Sequence, residues 1–127
     1  TINRIAYILN SNHINKPIKC FNMKINDECV ELLRELDSIV TSNLEGSKVS
    51  QTFAVLVPIG ITKKYSVVIR TFVTNDFMTG RPGEIGTEVD KHNIENIINE
   101  IENRFHDKIE FVMYDVTSKP PATCEWQ

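Results

Sequence analysis

Chemistry on a substrate needs a nucleophile beside its base, paired carboxylates in a cleft, or a set of metal-binding side chains. The histidines of this sequence are His13, His92 and His106. His13 falls in a polar loop, while the other two stand about four turns apart along one expected helix, too far to share a metal ion. Cys20, Cys29 and Cys124 show no C-x-x-C spacing and no histidines at zinc-finger distance, which reads as three reduced thiols in or near the core. No G-x-S-x-G elbow, Walker loop or dinucleotide glycine pattern occurs. The run Gly80-Arg81-Pro82-Gly83-Glu84-Ile85-Gly86 is glycine-rich, but Pro82 removes an amide donor and no Lys-Ser/Thr pair follows. These patterns predict no catalytic residue, no metal and no cofactor.

The most informative segment is the one just before and across that run, where Phe77, Met78, Thr79 and Arg81 lie in a turn-rich stretch. Two bulky apolar side chains in such a stretch either pin the loop to the protein's own surface or face a ligand. In the second reading Phe77 stacks on a planar base, worth roughly 1–3 kcal/mol, with Met78 beside it, while Thr79, Arg81 and loop amides hold phosphate or ribose. Arg70, Asn93 and Arg104 could join them. Each also has a structural reading: a cross-strand ion pair for Arg70, a cap for Asn93, and placement near a helix C-terminus for Arg104.

Elements of both periods must position these groups. Residues 4–9 form a short apolar run, expected as a strand buried on both faces, and 18–24 a weaker strand. From Asn26 the period becomes helical: Cys29, Leu32, Leu33, Leu36, Ile39 and Val40 make one stripe, with Asn26 or Asp27 as N-cap and an end near Ser42-Asn43. Residues 53–59 and 65–73 are the strongest strands, joined closely enough for a hairpin. In the second of them Tyr65, Val67, Ile69 and Val73 share one face, and Val68, Arg70 and Phe72 the other. A second helix carries Ile94, Ile97, Ile98, Ile101 and Phe105, with Asp90 as its cap. Residues 109–116 are strand-like, and a last edge strand follows Pro120-Pro121.

The expectation is therefore a single α+β ligand-binding domain over residues 1–127, with two helices on one face of a largely antiparallel sheet in the order ββαββαββ. The uncovered sheet face then calls for a second copy of the chain, hence a homo-oligomer, a dimer or higher. With 41% hydrophobic and 24% charged residues, the composition is that of an ordinary folded domain. A net charge of −3 disfavours long nucleic acid. No apolar run approaches a membrane span and no signal peptide opens the chain, so a cytoplasmic location is expected.

At Arg70-Thr71-Phe72-Val73-Thr74-Asn75-Asp76-Phe77-Met78-Thr79-Gly80, and again at Glu125-Trp126, the sequence resembles the phage-encoded Thoeris anti-defence proteins of the first type. That resemblance implies a homo-oligomeric sponge in the infected bacterial host, which sequesters a cyclic ADP-ribose isomer without cleaving it and holds cyclic oligonucleotides at a separate site. Of the binding residues it supports only Phe77. Two alternatives compete: a small nucleotide-cleaving enzyme using Asp76, Glu84 or Glu88, and a structural or protein-binding subunit.

Overall fold

The computed structural model describes residues 5–10, 16–22, 25–74 and 80–117. Helix α1 spans Asp27–Leu44; the Asn26 side chain caps it by accepting the Cys29 N–H at 2.9 Å, and Asp27 and Glu28 place negative charge at its positive end. It runs slightly past the expected end, because Leu44 still reaches the core and only then does Gly46, at φ +85°, turn the chain. Helix α2, Lys91–Phe105, is capped by Asp90, which accepts the His92 N–H at 2.8 Å.

The strands are β1 (Ala6–Ile8), β2 (Lys19–Cys20), β3 (Gln51–Val57), β4 (Ile59–Gly60), β5 (Tyr65–Thr74), β6 (Gly80–Arg81) and β7 (Ile109–Asp115). The main sheet runs β1-β7-β5-β3, with β6 folded back on the end of β5, and β2 pairs β4 in a separate ribbon. Among the described strands only β5 and β7 pair in parallel, and α2 makes the crossover between them. The fold is thus α+β with a largely antiparallel sheet. Two-residue strands β4 and β6 add to the expected order, and the strand expected after Pro121 lies outside the described residues.

Both helices pack on one face of the sheet. Leu32, Leu36, Ile39 and Val40 of α1 and Ile94, Ile97 and Ile101 of α2 meet Ala54, Leu56, Val67, Ile69 and Val112 in one core. The other face, called the far face here, is not open. Val68, Arg70, Phe72, Phe111 and Met113 are already buried within a single chain, with Ile8, Val55, Val57 and Ile59 packed around Val68, Phe111 and Met113. The premise for a second copy as cover is therefore gone. Two smaller expectations also change. Strand β1 is an edge strand with Tyr7 64% exposed, not a doubly buried one, and Cys20 is exposed although Cys29 is buried.

Candidate functional site

The end of β5 and the segment from Gly80 to Asn93 are tied together by strand pairing, buried hydrogen bonds and an ion pair. Strands β5 and β6 pair Val73 with Arg81 and Thr74 with Gly80, fixing both roots of the segment 75–79. Ser50 and Thr74 hydroxyls meet at 3.0 Å beside the first root. Below the second root, the Gly83 N–H donates to Thr71 Oγ1 at 2.9 Å, Thr71 and Tyr114 hydroxyls meet at 2.6 Å, and the Tyr114 hydroxyl donates to the Gly83 carbonyl. With the Thr71 proton directed at Tyr114 this makes a closed circuit of three donors and three acceptors, buried throughout. Burial pushes the Tyr114 phenol up to about 12.

Arg81 then grips Glu88 in a two-pronged pair at 2.8 and 2.9 Å. The same carboxylate accepts the Glu84 N–H at 2.9 Å. The Arg81 guanidinium, aided by that amide, holds the Glu88 carboxyl down at about 2. Next to this latch, between the turn at Gly46 and the start of α2, lies a groove of about 480 Å³ whose lining includes Ser47, Lys48, Thr87, Lys91 and Asn93. Hydroxyls, ammonium groups and an amide converge there, a set able to hold a phosphate or the polar edge of a base. Glu45 and Asp90 also line it and temper its charge.

The expected binding residues are not gathered into one place. Phe77, Met78 and Thr79 lie outside the described residues. Arg81 reaches the groove through Glu88, and Asn93 lines it directly. Arg104 stands at the far end of α2, paired with Glu100 at 3.2 Å and 5.1 Å from the Phe105 ring centre. Arg70 is on the far face, 1% exposed, in an ion pair with Asp115. For Arg70 and Arg104 the structural arrangements foreseen for them are the ones present. The sequence reading missed Thr71 and Tyr114; the available signal was a tyrosine on the inward face of an apolar strand, whose hydroxyl needs a partner. It missed Glu110 as well, which accepts the N–H groups of Ile61, Thr62 and Lys63 at 2.8, 2.8 and 3.2 Å.

Among the described residues no three His, Cys, Asp or Glu side chains cluster as metal ligands, and no helix is long and apolar enough to cross a membrane.

Residues 37–126 match the family described as the GMP synthase C terminal domain. The chain belongs to that family. It is 34% identical to the GMP synthase (glutamine-hydrolyzing) of Dictyostelium discoideum over 98% of its own length and 19% of that relative's. Against the enzymes of the same name from Alkalilimnicola ehrlichii and Hahella chejuensis it is 38% identical over 82% of its length and 21% of theirs. The chain therefore spans about a fifth of the curated relatives it matches.

Membership of the GMP synthase C-terminal domain family overturns the Thoeris anti-defence resemblance and what it carried. The sponge function, the expectation of a protein that is no enzyme, and the ligand partners (a cyclic ADP-ribose isomer and cyclic oligonucleotides) all fall with it. That resemblance rested on residues 70–80 and two residues near the end, whereas the GMP synthase similarity extends through nearly the whole chain. An aromatic-plus-arginine loop is generic to nucleotide handling and does not select one nucleotide protein from another.

Proposed function

We propose that this chain works as the C-terminal part of a glutamine-hydrolysing, GMP-forming enzyme, folding as one α+β domain over residues 1–127 in a cytoplasmic setting. The observation that carries this is the similarity to the Dictyostelium GMP synthase along 98% of the chain. Hydrolysis of glutamine releases ammonia, and guanine bears an exocyclic amino group, so the relatives' name describes amination of a purine nucleotide.

Within that role the proposed nucleotide contacts are Phe77, Met78 and Thr79, between the roots fixed by β5 and β6, with Arg81 and Asn93 beside the groove. The test supplies this chain, fused or co-expressed, to a Hahella chejuensis GMP synthase lacking its own C-terminal fifth. Restored glutamine-dependent GMP formation is the expected result. A folded chain that restores none refutes the proposal.

A further inference from the structure

Arg81 gives Glu88 one N–H from Nη1 and one from Nη2, at 2.8 and 2.9 Å, and the other Nη1 hydrogen points back at the Pro82 carbonyl at 3.4 Å. The N–H groups left over, on Nε and Nη2, have no partner among the described residues. They share one edge of the guanidinium plane, the edge that takes a phosphate in two parallel bonds. The Arg81 side chain is 47% exposed against 12% for Glu88, so the pair lies with its carboxylate inward and its guanidinium outward.

Glu88 owes its place to the turn that carries it. The N–H groups of Thr87, Glu88 and Val89 all donate to the Glu84 carbonyl, at 3.0, 3.1 and 3.2 Å, and the Gly86 N–H donates to the Val89 carbonyl at 2.7 Å. The Glu84 N–H closes onto the Glu88 carboxylate, and the Lys48 N–H onto the Glu88 carbonyl at 3.2 Å. Residues 84–89 are thus one tightly bonded unit, with Val89 fully buried at its end. The residue before it, Gly83, sets its distance from the sheet, because the Gly83 N–H and carbonyl are both taken by the hydroxyls of Thr71 and Tyr114. A line of hydrogen bonds therefore runs from β5 and β7, through Gly83 and the turn, to a guanidinium at the surface. A loose surface arginine gives up rotamer freedom when it takes a ligand. One gripped at two points by a fixed carboxylate has given it up beforehand.

We infer that Thr71, Tyr114 and Glu88 are positioning residues, which aim the Nε–Nη2 edge of Arg81 at the phosphate of the nucleotide in the GMP-forming enzyme. The inference rests on the proposed function for its ligand. The coupling of the buried circuit to the Arg81–Glu88 latch does not depend on it.

The test follows the Glu88 carboxyl by NMR in the chain, and the binding of GMP and of guanosine in the synthase fusion. In the parent the carboxyl titrates at about 2. In Thr71→Val, which keeps the branched shape but removes the hydroxyl, it moves up toward its ordinary 4.5. The fusion carrying this variant binds GMP several-fold more weakly, with guanosine binding unchanged, and Thr71→Ser restores both readings. A circuit that only stabilises the fold would lower the melting temperature of Thr71→Val and move neither reading. That result in the folded variant overturns the inference, as does an equal loss for guanosine or a shifted Glu88 with unaltered GMP binding. If Thr71→Val does not fold, Tyr114→Phe is read the same way. If the parent fusion forms no GMP, the proposed function fails, while the Glu88 titration still decides whether the circuit positions the latch.

Discussion

A Cβ built on Gly83 would stand 2.9 Å from Thr71 Oγ1, the separation of a hydrogen bond rather than of packed carbon. It would also lie 2.8 Å from a Val49 methyl and 3.0 Å from a Val89 methyl. The loop lies this close because the Gly83 N–H and carbonyl both take part in the Thr71–Tyr114 circuit. Gly83→Ala is therefore expected to destabilise the fold by about 1–3 kcal/mol through overpacking. Urea denaturation of the variant against the parent measures it. Gly46→Ala is a useful comparison: nothing lies within 4 Å of its Cβ, so only the strain of φ +85° remains.

The circuit itself is tested by Tyr114→Phe. Removing the phenol oxygen leaves the buried Gly83 carbonyl and the Thr71 hydroxyl each short of a partner, a loss of roughly 1–3 kcal/mol. The pH dependence has a definite sign. Burial raises the phenol from 10.0 to about 12 in the folded chain, so its contribution is fully present below pH 10. It disappears as pH rises from there toward 12. Stability of the parent should fall across that interval, and this part of the fall should be missing in Tyr114→Phe.

Local signals in the sequence carried the helices well. Asn26 and Asp90 are caps because their side chains meet amides two or three residues on, and the stripes from Cys29 and from Ile94 follow from the helical period alone. The two faces of β5 were equally legible from alternation. What escaped depends on distant pairing. Asp115 is 45 residues from Arg70 on a parallel strand, and parallel pairing leaves no turn to mark it. The apolar run at β1 looked doubly buried because nothing local says which strand ends a sheet. At the candidate site Arg81 and Asn93 were legible as polar groups near a turn. Glu88 as the partner of Arg81 was not, since that contact closes only when Gly83 is drawn down onto Thr71.

The Arg81–Glu88 latch should show itself in acid. The Arg81 guanidinium and the Glu84 amide hold the Glu88 carboxyl at about 2, below its ordinary 4.5. Its contribution is therefore complete above pH 4.5 and is lost as pH falls toward 2. Glu88→Gln should remove that component of the acid limb while leaving the fold intact at neutral pH. Thermal melts of both proteins between pH 7 and about 2 compare the slopes. Equal slopes would mean that the pair does not persist in solution.

Glu110 offers a contrasting case in which backbone amides, not a cation, do the holding. Partial burial pushes its carboxyl up, but the N–H groups of Thr62, Ile61 and Lys63, with the Lys63 ammonium, outweigh it and the net shift is down. The ammonium is 3.9 Å away, the weakest of these partners. Three successive amides facing one carboxylate form a concave anion nest that the protein fills with its own side chain. Glu110→Gln should therefore cost roughly 0.5–1.5 kcal/mol by weakening bonds to donors that are half-buried at Ile61 and Lys63 and exposed at Thr62. Lys63→Ala should cost no more than about 0.5 kcal/mol, as expected for a loose surface pair. Chemical denaturation of the two variants in parallel separates the contributions, and a Lys63→Ala loss as large as that of Glu110→Gln would mean the ion pair, not the nest, holds the turn between β4 and β5.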